Sequence, residues 1–142
     1  MKTIIIFLMA IILSASYAQN LKTKDIPGIV KEKFNSNYSK AVHVKWTKEK
    51  SGYETSFKNG KVDVSVNFDE KGNVVEIETG IILNALPIEV RESVAEDYSK
   101  YKITETAKIE SKGITKYEVE VKGLKGKKDL IYDEHGVLKF IR

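Results

Sequence analysis

Apolar positions along the chain follow two spacings, and the order of those spacings occurs twice. Val30, Phe34 and Tyr38 recur every four residues, as do Val90, Val94 and Tyr98. That spacing gives one apolar stripe per segment and predicts two short helices. Ile26-Pro27 and Leu86-Pro87 stand just before them, and proline costs nothing at a first helical position because its missing N–H has no intrahelical partner there. After each helix the period falls to two, the signature of half-buried strands. In the first half the alternating sets are Val44 and Trp46, then Tyr53, Thr55 and Phe57, then Val62, Val64, Val66 and Phe68, then Val75 and Ile77. In the second half they are Ala107 and Ile109, then Tyr117, Val119 and Val121, then Leu130 and Tyr132, then Leu138, Phe140 and Ile141. Asn59-Gly60 between two such runs predicts a tight hairpin, and Asp69-Glu70-Lys71-Gly72 a type I turn with a left-handed glycine.

Direct residue matches support the duplication. Ile26-Pro27 through Tyr38-Ser39-Lys40 lines up with Leu86-Pro87 through Tyr98-Ser99-Lys100 at an offset of 60. Tyr53-Glu54 lines up with Tyr117-Glu118, and Phe68-Asp69-Glu70-Lys71-Gly72 with Tyr132-Asp133-Glu134-His135-Gly136, at an offset of 64. Residues 19–84 and 85–142 are therefore read as two copies of a helix plus antiparallel hairpins. The fold class is α+β, two-layered, with helices on one face of the strands and a polar face opposite. The joint 79–85 holds Ile81, Ile82 and Leu83, too apolar for a free linker, so the halves are expected to pack together.

The first residues add a compartment. Lys2 precedes an apolar run from Ile4 to Leu13, and Ser16 and Ala18 occupy the −3 and −1 positions before Gln19. This is the pattern of a secretory signal peptide over residues 1–18. Ten residues at 1.5 Å rise span only about half of a ~30 Å hydrocarbon core, and no later segment has the length of a membrane-spanning helix. The mature chain, 19–142, is expected outside the cytoplasm, periplasmic or secreted. Loss of Lys2 lowers the formal charge from +4 to +3. Basic and acidic residues number 11 and 9 in 19–84, and 12 and 11 in 85–142. With neither half a polybasic arm, nucleic acid is not an expected partner. The absence of cysteine excludes disulfides, thiol nucleophiles, Cys-ligated zinc and iron–sulfur clusters.

As a set, Ile26-Pro27, Tyr38, Val44-Lys45-Trp46, Tyr53-Glu54, Phe68-Asp69 and Gly72, with Leu86-Pro87, Tyr98, Tyr117-Glu118-Val119, Tyr132-Asp133 and Gly136, resemble the PepSY-like, β-lactamase-inhibitor-like proteins of the Bacteroidetes. The resemblance covers nearly all of 25–142. It implies a tandem α+β fold like that of β-lactamase inhibitor protein and an envelope location, and it carries no catalytic residues to transfer. The second copy departs from the first, with Ile109 or a neighbour at the place of Trp46 and Lys128 opposite Val64.

Candidate chemistry is sparse. His-Glu-x-x-His, Gly-x-Ser-x-Gly and phosphate-loop patterns do not occur, and His43 and His135 are the only histidines. His43 falls on a strand's polar side and His135 in a turn, so no shared site is expected. Asp69-Glu70 and Asp133-Glu134 suit turns better than calcium, which needs several oxygen ligands at alternating positions. The chain is read as non-enzymatic, without cofactor or metal. Trp46 alternates with Val44 and belongs to the core.

Two surfaces remain as candidates. One is the open sheet face, with Lys45, Glu54, Lys58, Lys108, Glu118 and Glu120 as its principal residues, where an envelope protein could dock. Ser56, Asp63, Ser65, Asn67, Glu76, Glu78, Glu110 and Lys122 share that expected face. Because binding hot spots favour Trp, Tyr and Arg, a Lys/Glu face also reads as merely solvated, and that reading stays open. The other is the basic hairpin of Lys122, Lys125, Lys127 and Lys128 around Gly123-Leu124-Lys125-Gly126, suited to anionic polymers or lipid headgroups.

Overall fold

The computed structural model describes residues 19–142; the signal-peptide assignment lies outside the described residues. Nine strands run in the order β1 (Gln19–Leu21), β2 (Ala41–Glu49), β3 (Gly52–Asn59), β4 (Val62–Asp69), β5 (Val74–Gly80), β6 (Lys102–Ser111), β7 (Ile114–Gly123), β8 (Gly126–Tyr132) and β9 (Leu138–Ile141). They form a single sheet in that same order, each strand antiparallel to the next. Helix α1 (Gly28–Asn37) lies between β1 and β2, and α2 (Ile88–Asp97) between β5 and β6, each preceded by a 3-10 turn.

Each helix starts where its proline ends. Pro27 and Pro87 are the capping residues, with extended ψ, and their carbonyls accept the first helical bonds from Lys31 and Arg91, both at 3.1 Å. Val30 and Phe34 on α1, and Val90 and Val94 on α2, are buried. Alternation in the strands supplies the other half of two separate cores. The first joins Ile26, Val30 and Phe34 to Trp46, Phe57, Val64, Val66 and Phe68; Phe34 packs edge-on against both Trp46 and Phe57 at 5.2 Å. The second joins Leu86, Val90 and Val94 to Val119, Val121, Leu130 and Tyr132.

The hairpins follow local chemistry with one adjustment. Asn59 stays in the strand opposite Val62, and the turn is Gly60-Lys61 with positive φ at Gly60 alone, the position a type II′ turn gives to glycine. In the two longer turns Asp69 accepts amide bonds from Lys71 and Asn73, and Asp133 accepts them from His135 and Val137. Gly72 and Gly136 then take positive φ against the backbone of Ile29 and Glu89, at the starts of the two helices.

The joint is not a linker. Thr79 and Gly80 belong to β5 and pair with Lys108 and Ala107 of β6, so the sheet passes unbroken from one half to the other. Ile81 packs against the second core, while Ile82 and Leu83 are exposed.

One strand reverses the expected facing. Ala107 and Ile109 do not lie toward the helices; Lys108 and Glu110 do. Lys108 stands opposite Thr79 and Tyr117, and Thr106 opposite Val119, which belongs to the second core. The cause is a bulge between Ile103 and Glu105. One extra residue shifts alternation by one and exchanges the faces of everything beyond it. β2 carries a matching bulge between Val42 and Lys45, so the offset of 60 persists and the place of Trp46, which pairs with Thr55, falls in the second half to Thr106, which pairs with Val119, and not to Ile109.

Candidate functional site

The helix-free face is set out by register. One cross-strand row reads Lys45, Ser56, Ser65, Glu78, Ile109, Lys116. A second reads Gly80, Ala107, Glu118, Ile131, Phe140, and a third Glu105, Glu120, Asp129. Thus Lys45, Glu54, Lys58, Glu118 and Glu120 share this face as expected. Lys108 does not: it lies on the helix side, ion-paired to Glu110 at 3.0 Å.

Several of these charges are already engaged. Lys58 bonds Asp63 at 2.8 Å, Lys127 bonds Glu120 at 2.7 Å, and Ser65 donates to Glu54 at 2.6 Å. Glu120 also accepts from the Thr104 hydroxyl, and these bonds, that from Lys127 first, hold its carboxyl below the usual range. Glu118 behaves oppositely. Burial, and then the negative charge of Glu78, push it up to about 7, against the pull of Arg142. The Arg142 guanidinium is 3.2 Å from its Oε2, yet not aligned for a hydrogen bond. Glu78 is raised as well, by burial first and by Glu76, Glu54 and Asp129, with Arg142 opposing. The middle of the face therefore holds a partly desolvated carboxylate pair with one shared cation.

Four apolar residues lie beside that pair: Ala107, Ile109 and Phe140, which alternation groups with the core sets, and Ile131, which the sequence reading does not single out. Ala107, Ile109 and Ile131 are buried on the side that carries no helix, Ile131 completely. Phe140 is 44% exposed, with the Lys116 Nζ 5.4 Å and the Arg142 guanidinium 5.8 Å from its ring. The sequence did hold a signal: Leu130-Ile131-Tyr132 is an unbroken apolar run, the mark of a strand covered on both faces. A groove of about 1050 Å³ opens beside the row, lined by Lys45, Ser65, Glu78, Ala107, Glu118 and Glu120 among others.

The basic hairpin lies at the edge of the same face. Lys122 and Lys127 are directly opposite each other on it, Lys125 is in the turn, and Lys128 points to the helix side, 5.8 Å from the Tyr101 ring. His43 sits in the bulge of β2 with φ 56°, at the other end of the sheet from His135. Among the described residues no cluster of three or more His, Cys, Asp or Glu is arranged to hold a metal ion. Nor is any helix among them long and apolar enough to cross a membrane.

Comparison with known proteins agrees with this architecture. The family described as "Putative beta-lactamase-inhibitor-like, PepSY-like" matches residues 15–76 and 53–139. A DUF2874 family protein from Bacteroides uniformis shares the fold with a TM-score of 0.72 at 23% identity, over 82% of this chain and 88% of its own. A protein from Bacteroides eggerthii, described as one of the "putative periplasmic proteins", gives 0.74 at 17% identity over 82% and 87%. A BLIP-like protein from Bacteroides fragilis gives 0.65 at 22% identity over 82% and 84%. No curated protein matches the chain.

Proposed function

The chain belongs to the PepSY-like, β-lactamase-inhibitor-like family, and on that premise we propose that it is a non-catalytic envelope module that binds a protein on its helix-free sheet face. It is read as exported after removal of residues 1–18, and as a tandem of 19–84 and 85–142 whose two copies have diverged on the binding side. The similarity to a protein described as periplasmic supports the location. The observation that carries the reading is the row Ala107, Glu118, Ile131, Phe140. Phe140, the exposed aromatic of that row, lies beside an under-compensated carboxylate pair over the buried floor of Ala107 and Ile131, and an aromatic ring next to partly desolvated charge has the composition of an interface centre rather than of a merely solvated surface.

The test is capture from envelope extract by mature 19–142 at low and high salt, with Glu118→Lys/Glu120→Lys and Phe140→Ala alongside. A single protein held at both salts by the wild type and lost by both face variants supports docking; the activity of a captured enzyme then reports inhibition. Retention by the face variants equal to wild type would falsify the assignment of the face.

A further inference from the structure

The two ends of the sheet differ in charge. Register puts Ala41 opposite Asn59, Lys102 opposite Lys122, and Lys122 opposite Lys127, so four connections gather at one end: 38–41, 59–62, 98–102 and 122–128. Together they contain eight lysines and no acidic residue. The turns at the opposite end, 49–51, 69–73, 111–114 and 133–137, contain five acidic residues and three lysines. A helix-dipole role accounts for lysines close to the ends of α1 and α2, but not for the hairpin 122–128, which belongs to neither helix.

Lysines in that hairpin are placed against their own repulsion. Lys102, Lys122 and Lys127 are consecutive cross-strand neighbours on one face, where like charges destabilise. Glu120 pairs with Lys127, and Glu105 and Asp129 stand in the row behind. Lys102, Lys122 and Lys125 have no ion pair among the described residues. Leu124, at the tip beyond them, is 109% exposed, and Ile82 at the same end is 75% exposed. The tip is also propped: Gly123 lies so close to the Tyr101 ring that any side chain there would collide with it.

We propose that this end of the sheet seats on an anionic lipid surface, with Leu124 entering the headgroup layer and the surrounding lysines neutralising lipid phosphates. Charge alone would suit any polyanion. A fully exposed leucine set between lysines is what an interface with an apolar layer beneath it rewards. The strands would then stand across the membrane plane, leaving the helix-free face open to the side for a protein partner.

Mature 19–142 is sedimented with vesicles of phosphatidylglycerol and phosphatidylcholine, and with phosphatidylcholine alone, at two salt concentrations. Binding is expected to the anionic vesicles only, weakening with salt. Lys122→Gln/Lys125→Gln/Lys127→Gln should lose roughly a hundredfold in affinity, at about fivefold per lysine. Leu124→Ser should lose about tenfold, and its exposed position leaves the fold untouched. Lys50→Gln/Lys71→Gln/Lys112→Gln removes equal charge from the other end and should change binding no more than about twofold, since those sites lie beyond a Debye length. Equal losses from the two triple variants overturn the proposal. So does unchanged binding by Leu124→Ser together with equal affinity for a soluble polyanion, which would make the hairpin a polymer site.

Discussion

Glu118 and Ile131 stand directly opposite each other on β7 and β8, a half-buried carboxylate against an isoleucine with no exposed surface, on the side of the sheet that neither helix covers. The pairing fits a Glu118 carboxyl pushed up to about 7: burial comes first, its neighbour offers no donor, Glu78 adds a second negative charge, and Arg142, 3.2 Å away, opposes them.

That arrangement fixes a pH dependence. A carboxyl at about 7 in the folded protein and 4.5 when unperturbed binds its proton more tightly folded than unfolded, so stability falls as pH rises between those values. Glu118→Gln should flatten that slope and add about 1 kcal/mol at pH 8, a figure discounted for a site in contact with solvent. Removing Arg142 should move the midpoint higher still. Denaturant titrations at pH 5 and pH 8 check both, and identical slopes for wild type and Glu118→Gln would sink the account.

Internal symmetry supplies a second prediction. Thr55 and Val119 hold matching places, as do Phe68 and Tyr132: Thr55 pairs with Val66 as Val119 pairs with Leu130, and Phe68 pairs with Tyr53 as Tyr132 pairs with Tyr117. The Thr55 and Tyr132 hydroxyls are buried without a hydrogen-bond partner among the described residues, and burial pushes the Tyr132 hydroxyl up to about 12. Thr55→Val and Tyr132→Phe should each stabilise by about 1 kcal/mol by removing an unsatisfied group. Thermal melts read this directly; a lower Tm in both would show that the hydroxyls are satisfied in solution.

The two turn glycines should differ in tolerance. Both have positive φ, which costs an alanine about 1 kcal/mol or more. At Gly136 the new methyl also collides with the Glu89 carbonyl, whereas at Gly72 it comes to 3.2 Å of the Ile29 carbonyl. Ser93 further ties α2 to this turn by a 2.8 Å bond to the Gly136 carbonyl. Gly136→Ala should cost at least about 3 kcal/mol and Gly72→Ala about 1–2. Equal losses would mean that the α2 contact contributes nothing.

Facing can be tested through Lys108. Because it lies on the helix side beside Glu110, Lys108→Glu should leave capture of a partner on the opposite face unchanged. Glu118→Lys should reduce that capture tenfold or more, as expected for a charge at an interface centre. A loss of capture by Lys108→Glu at unchanged Tm would place the partner on the helix side.

Much of this molecule was legible in the chain. Spacing of Val30, Phe34 and Tyr38 specified a helix and its inward stripe, and Pro27 and Pro87 specified where the helices begin. Val64, Val66 and Phe68 specified a strand and its buried side, because every second residue of a strand must share a face. Asp69 and Gly72 specified a turn through amide bonds and a left-handed backbone that few other residues provide. What alternation could not specify was which side of the finished sheet a given set would meet. Ala107 and Ile109 alternate as cleanly as any core pair, yet the bulge between Ile103 and Glu105 sends them to the helix-free side. A bulge is the insertion of one residue relative to a partner strand, so it exists only once β6 has paired with β7. The elements and their order were readable from the chain alone, since these depend on contacts within a few residues. Pairing across the sheet decided the facing of Lys108, the burial of Ile131 beneath no helix and the titration of Glu118 beside Glu78, since each is a relation between strands.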